Sequence, residues 1–205
     1  MFGTLIMTIS AILFDIGGVL IELNGLPSLA KLLDSEKPHD EIYERWMNSP
    51  SVIAHETGKL SSDAFAMQVV QELEINLSPD AFMQNFATWI VGTFPNTFEL
   101  LESIPTHIPL AALSNTSAAH WVHVEATGLT DKLDHLFLSH EIGHLKPNHQ
   151  AFQAAVDGLK LPAEEIIFFD DNIDNVNAAK TFGLKAHQAF NPEQAKIVLN
   201  QYGLI

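Results

Sequence analysis

Cysteine is absent from the 205-residue chain. That excludes a disulfide framework and thiolate chemistry, and makes the cytoplasm the expected compartment. Basic residues are scarce: 10 Lys and Arg stand against 25 Asp and Glu, a formal net charge of −15. Such a chain is a poor partner for nucleic acid or for an anionic membrane, which basic patches engage. It also repels an anionic substrate unless a local cation intervenes, although salt screens that repulsion beyond roughly 8 Å. No apolar run is long enough to span a bilayer. The apolar opening, MFGTLIMTISAILFDIGGVL, has no basic residue before Lys31 and no small-residue cleavage pattern before Phe14 and Asp15. It reads as a buried strand and not as a signal peptide, with Met7 as an alternative start. Internal repeats and low-complexity tracts are missing, and the ten His show neither zincin nor zinc-finger spacing.

What is present reads as an ordinary globular chain, 47% hydrophobic and 17% charged. Short apolar runs alternate with helical patterns, the signature of a three-layer Rossmann-like α/β core with a parallel sheet. The strand candidates are Ile9–Phe14, Leu110–Leu113, His135–Leu138, Ile166–Phe169 and Leu184–Gln188. Helical stretches fall near Ser117–Ala126, Asn148–Gly158 and Asp174–Thr181, with Ser117, Asn148 and Asp174 as caps. From about Leu26 to Phe94 no strand pattern appears. Amphipathic helices take its place, one capped by Ser61 or Ser62 with Phe65, Val69 and Leu73 on one face. A second opens with Ser78 as cap and Pro79 in the first turn. The expected organisation is a catalytic core of residues 1–25 and 95–205, with residues 26–94 inserted as a helical cap. Phe65, Phe82, Phe86 and Trp89 are expected to form the core of that insertion. His55-Glu56, ahead of TGKLS, could face a substrate, but a solvated loop is the preferred expectation.

Polar residues gather at the ends of the predicted strands. Asp15 ends the first, Ser114-Asn115-Thr116 the second, and Asp170-Asp171-Asn172 the fourth. Ligands of open parallel sheets bind beyond the carboxyl ends of the strands, so these segments share one edge, and Lys146 can reach it. The set suits phosphoryl transfer. Asp15 would attack phosphorus and form an aspartyl-phosphate. Asp171, with Asp170 beside it, would hold Mg²⁺, a hard ion that takes oxygen ligands. Lys146 would neutralise phosphate charge, and the Ser114 hydroxyl and the backbone N–H groups near Asn115 would bind the transferring oxygens. Gly17 and Gly18 would let the backbone turn close to metal or phosphate.

The segments FDIGGVL, LSNT, LKPNHQAF and FFDDNIDNV, in that order, resemble the four motifs of the haloacid dehalogenase superfamily of phosphohydrolases. The insertion resembles that superfamily's substrate-selecting helical cap. SNT followed by His120 and Trp121, ETGKLSSDAF and the paired Asp of FFDDN are similar to bacterial α-D-glucose-1-phosphate phosphatases. More distantly, the chain resembles the amino-terminal phosphatase domain of soluble epoxide hydrolases. The resemblance implies hydrolysis of a small phosphorylated metabolite such as a sugar phosphate. By motif it implies Asp15 as nucleophile and Mg²⁺ ligand, the Gly17 carbonyl and Asp171 as further ligands, and Ser114, Asn115 and Lys146 as phosphate contacts. The chain departs from the pattern at Gly17, where most phosphatases of the superfamily carry an Asp that serves as general acid and base. A metal-free haloacid dehalogenase is one alternative, although those proteins carry an aromatic residue and Gly-Thr where this chain has Gly17-Gly18-Val19. The other is a non-catalytic binder of a phosphometabolite.

Overall fold

The computed structural model describes residues 8–33 and 37–205; Met7, the alternative start, falls outside them. Seven strands occur among the described residues: β1 Ala11–Phe14, β2 Ile21–Leu23, β3 Ile90–Thr93, β4 Leu110–Ser114, β5 His135–Leu138, β6 Ile166–Asp170 and β7 Lys185–Gln188. Five of them form a parallel sheet in the order β5-β4-β1-β6-β7. In β1, Ile12 and Phe14 face one hydrophobic cluster, with Ile167 and Phe169 of β6, whereas Ala11 and Leu13 face a second, with Ile166 and Phe168. Both faces of the central strands are therefore apolar, as a sheet covered by helices on each side requires. Phe14 and Phe169 stack across the β1–β6 pair at 5.4 Å.

The strand order reverses at β1. From there the chain crosses to β4 and β5 on one side and then to β6 and β7 on the other. A crevice opens at such a switch point, beyond the carboxyl ends of the strands. Asp15, Ser114 and Asp170 follow or end β1, β4 and β6, so the topology brings the three segments together.

Between β2 and β3 lie α1 Gly25–Leu32, α2 His39–Met47, α3 Pro50–Glu56, α4 Ser62–Glu72 and α5 Pro79–Ala87. They bury a cluster of their own: Phe65, Val69, Leu73, Phe82, Phe86 and Trp89 pack with Leu29, Ile42, Trp46 and Val52. Ser61 and Ser78 cap α4 and α5 by accepting the N–H groups of Ala64 and Ala81. The remaining helices are α6 Thr97–Ser103, α7 Ala118–Glu125, α8 Ser139–Ile142, α9 His149–Leu159, α10 Ile173–Phe182 and α11 Pro192–Gln201. No helix among the described residues is long and apolar enough to cross a membrane.

Three expectations need correction. The insertion does contain strand: β3 pairs antiparallel with β2, whose residues precede the interval. Each is only three or four residues long, and Gly92 interrupts the apolar pattern of β3, so neither shows a period without its partner. The cap of α10 is Asn172, not Asp174; Asn172 Oδ1 accepts the N–H of Asp174. Finally, His55-Glu56 ends helix α3 and is not a solvated loop. His55 is buried and stacks on Phe65 at 4.2 Å, with Nδ1–H donating to the carbonyl of Leu60.

Candidate active site

A cavity of about 370 Å³ lies between the sheet edge and the inserted helices. Asp15, Gly17, Ser114, Asn115, Lys146 and Asp171 all line it from the core. From the insertion and β3 come Leu26, Tyr43, Trp46, Met47, Glu56, Trp89 and Ile90. Lys146 is the one Lys or Arg among its described lining residues.

Lys146 is 2% exposed, and a buried ammonium persists only where carboxylates hold it. Its Nζ lies 2.9 Å from Asp15 Oδ1 and 2.7 Å from Asp170 Oδ2. Burial alone would lower its pKa, but the charges and hydrogen bonds of those two carboxylates outweigh burial and raise it. Asn115 fixes the segment from the other side. Its Nδ2 donates to the Lys146 carbonyl at 2.9 Å and its Oδ1 accepts the Lys146 N–H at 2.8 Å. The Asn115 side chain is therefore a clamp on Lys146. Its own backbone N–H and the Ser114 hydroxyl have no hydrogen-bond partner among the described residues.

Asp170 is fully buried. Its Oδ1 accepts from Asn172 N–H and Asn175 Nδ2, and its Oδ2 from Lys146 Nζ and Asn175 Nδ2. Those bonds occupy both oxygens. The carboxylates lining the cavity from the core are Asp15 and Asp171. Asp15 Oδ1 is held by Lys146 and by the N–H of Ile16 at 2.7 Å, whereas Oδ2 has no partner among the described residues. Gly18 has φ +76°, and a Cβ there would lie 2.2 Å from Asp171 Oδ2. That position needs glycine twice over, for its dihedral and for the closeness of Asp171. Gly17 differs: the nearest atom to a Cβ there would be in the side-chain end of Leu23, at 2.6 Å.

The oxygens of Asp15, Asp170 and Asp171 come within 4.8 Å of one another. Three negative charges against the one positive charge of Lys146 leave a deficit that a divalent cation would neutralise. Hard oxygen donors are what Mg²⁺ prefers, so the donor set fits that ion. Without it, burial, together with Asp170 and Asp171, lifts Asp15 to about 8 against the pull of Lys146. Burial and Asp170 lift Asp171 to about 6.

The chain matches the haloacid dehalogenase-like hydrolase family over residues 9–183. It belongs to that family. This hydrolase is 25% identical to a D-ribitol-5-phosphate phosphatase of Bacteroides thetaiotaomicron, over 94% of its own length and 99% of the relative's. It is 26% identical to a phosphatase of Mycobacterium tuberculosis, over 88% and 87%. Among solved structures, a HAD-family enzyme of Bacteroides thetaiotaomicron in complex with magnesium and inorganic phosphate superimposes with a TM-score of 0.72. That match covers 88% of this chain and 93% of the other at 22% identity, and it shows the fold.

In this hydrolase, sequence reasoning preferred a solvated loop for Glu56 over a substrate-facing position, and it missed the side chains that fasten the walls of the cavity. Asn172 Nδ2 donates to the Tyr43 hydroxyl at 3.1 Å, tying α2 to the loop after β6. The Ser139 hydroxyl donates to the Thr116 carbonyl and accepts the Thr116 N–H. Glu56 did carry a signal, because an acid just before Thr57-Gly58 can face inward as well as outward. His120 lines the cavity but offers it no proton. Its ring stacks on Phe86 at 3.7 Å, and its Nε2–H donates to the Phe86 carbonyl at 2.9 Å. Burial lowers its pKa to about 4, so it stays neutral.

Proposed function

We propose that this hydrolase is a Mg²⁺-dependent phosphatase that cleaves phosphate monoesters through an aspartyl-phosphate on Asp15. The observation that carries this reading is the Asp15–Lys146 pair, closed at 2.9 Å and opening on one cavity with Asp171. Asp15 Oδ2, with no partner among the described residues, is the nucleophile. Lys146 holds Oδ1 and brings positive charge to the entering phosphate, and Asp170 and Asn115 position Lys146. The Ser114 hydroxyl and the Asn115 N–H receive phosphate oxygens as charge develops on them. Asp15, Asp171 and the Gly17 carbonyl would hold Mg²⁺, which supplies charge neutralisation at the carboxylates and phosphate.

Residues 26–94 act as a cap that closes the cavity over the organic part of the substrate. A small sugar or polyol phosphate, glucose-1-phosphate among them, is the first class to test: Trp46 and Trp89 line the cavity, and Tyr43 and Glu56 offer partners for hydroxyls. A more apolar phosphate ester is the second reading, because Leu23, Leu26, Leu29, Met47 and Ile90 make much of the wall. A cytoplasmic location belongs to the same reading.

Replacing Asp15 by Asn removes the nucleophile, since an amide is a very poor one. The expected result is background hydrolysis of p-nitrophenyl phosphate by a folded variant, with beryllium fluoride modifying the native protein at Asp15 alone. Substantial turnover by Asp15→Asn would sink the covalent mechanism. Release of halide from a 2-haloacid without Mg²⁺ would favour the dehalogenase alternative, and phosphate-ester binding without turnover the non-catalytic one.

A further inference from the structure

The reaction proposed above needs a proton twice, once on the departing alcohol oxygen and once taken from the attacking water. Most ionisable side chains lining the cavity are already committed. Lys146 is locked between Asp15 and Asp170. His120 spends its N–H on Phe86 and stays neutral. Tyr43 accepts from Asn172, and burial raises its pKa further above an already high value. Asp171 stands with Asp15 in the cation cluster. Glu56 remains. It lines the cavity from the insertion, and its carboxylate makes no hydrogen bond or ion pair with any described residue.

Its position is fixed from several sides. Glu56 ends α3, between two anchored neighbours: His55 is stacked on Phe65, and the Thr57 hydroxyl donates to the Ile53 carbonyl at 2.7 Å. The turn that follows rests on the core. A Cβ on Gly58, whose φ is +70°, would lie 2.2 Å from the His140 carbonyl oxygen. His140 belongs to α8, whose Ser139 is bonded to Thr116 beside the phosphate-binding segment. Tyr43, bonded to Asn172 of the loop after β6, lines the same cavity as Glu56.

We propose that Glu56 is the acid–base catalyst of this reaction, a role that rests on the phosphatase reading. In the first step Asp15 Oδ2 attacks phosphorus and the P–O bond to the leaving group breaks. The electron pair goes to the alcohol oxygen, which takes the Glu56 proton and departs as ROH. In the second step the Glu56 carboxylate accepts a proton from water as the water oxygen attacks phosphorus. The P–O bond to Asp15 breaks, its electron pair returns to the Asp15 carboxylate, phosphate leaves, and Glu56 is again protonated.

The environment suits that duty. Across the cavity stand Asp15, Asp171 and Lys146, Tyr43 lies on α2, His120 on α7, and His55 and His140 sit at the α3–α8 contact. None bonds the Glu56 carboxylate, and burial raises it to about 7. Near neutral pH both protonation states are then populated, the condition under which one group serves as acid and base.

Glu56→Gln keeps the shape and loses the proton. Single-turnover phosphorylation of Asp15 separates proton transfer from other roles, using p-nitrophenyl phosphate, phenyl phosphate and an alkyl phosphate with Mg²⁺. The variant is expected to form the phosphoenzyme from p-nitrophenyl phosphate within a few-fold of the native rate. With the alkyl phosphate it should lose roughly 10²–10⁴-fold, the usual worth of a placed general acid. Its phosphoenzyme should accumulate after a stoichiometric burst of p-nitrophenol, and the alkaline limb of the native alkyl-phosphate pH profile should vanish. Glu56→Ala should regain alkyl-phosphate turnover with added formate, which provides a readout should the Gln variant fold poorly. An equal loss with every leaving group, a change in KM alone, or no change would overturn the proposal while leaving the phosphatase reading intact. A native protein that hydrolyses none of the three esters with Mg²⁺ would overturn that reading itself.

Discussion

At the scale of single residues, Gly18 is the position of the site that tolerates no addition. Gly18→Ala would place a methyl group 2.2 Å from Asp171 Oδ2 and hold a β-carbon at φ +76°. The left-handed backbone costs about 1–2 kcal/mol for a residue with a Cβ, and the clash must push Asp171 aside. Displacing a carboxylate that would hold the cation should raise the Mg²⁺ concentration for half-maximal activity, by roughly 10–100-fold on the scale of other outer-sphere changes. A titration of activity against Mg²⁺ measures it, and an unchanged half-saturation would show that Asp171 takes no part in holding the ion. At Gly17, by contrast, the atoms nearest to an added Cβ belong to the side chain of Leu23, which is 48% exposed. Asp15 and Asp171 were legible in the sequence because each follows an apolar strand pattern, at the sheet edge where parallel α/β folds bind ligands. Lys146 was legible because it stands just ahead of a helix start that returns the chain to the same edge. Asp170 was legible as a partner but not in its task, because the bonds that occupy it come from Lys146, Asn172 and Asn175, which only folding brings together. The Asn115 clamp was hidden for the same reason.

At the scale of elements, β2 and β3 form the neck through which the insertion joins the core. Leu23 pairs with Ile90, and the Asn24 N–H donates to the Trp89 carbonyl at 2.8 Å. The ends of the insertion are thus adjacent, so residues 25–88 can be replaced by a short Gly-Ser linker that keeps both strands. The core clusters on the two faces of the sheet should survive, because the five helices bury a separate cluster. The excised protein is expected to cleave p-nitrophenyl phosphate weakly and to lose discrimination among phosphorylated metabolites, since lids exclude water and complete substrate contacts. It should lose alkyl phosphates most, because Glu56 leaves with the insertion. A kcat/KM panel across sugar, polyol, aryl and alkyl phosphates checks this, and unchanged discrimination would show that the insertion selects nothing. The parallel strands and the helices α4, α5, α7 and α9 were readable from periodicity and caps. The neck was not, because an antiparallel pair of three or four residues declares itself only through its partner's hydrogen bonds.

At the scale of the whole molecule, a net charge of −15 surrounds a cavity that itself concentrates carboxylates, and stability with pH follows from that conflict. Burial and like charges raise Asp15 from 3.8 to about 8 and Asp171 from 3.8 to about 6, and burial raises Glu56 from 4.5 to about 7. A carboxyl whose folded pKa exceeds its unfolded value binds more protons in the folded state. Its contribution is complete below the unfolded value and is lost as pH rises through the folded one. His120, His55 and His187 work in the opposite direction, since burial lowers all three from 6.5. Their contribution grows with pH and is complete once the unfolded imidazoles are neutral. Between pH 6.5 and 8.5 the carboxyls therefore dominate, and the metal-free protein should lose stability as pH rises. Mg²⁺ binds the folded cluster and must displace its protons, so its stabilisation should be larger at pH 8.5 than at pH 6.5. Calorimetric Tm values in EDTA and in excess Mg²⁺ at the two pH values test both statements. General charge repulsion also grows with pH, and Asp15→Asn separates the two causes. Removing the most strongly raised carboxyl should flatten the decline in EDTA and shrink the Mg²⁺ increment, whereas diffuse repulsion would leave the slope as it was. A Tm in EDTA that rises from pH 6.5 to 8.5 would mean that these carboxylates are already charged in the folded protein without a cation.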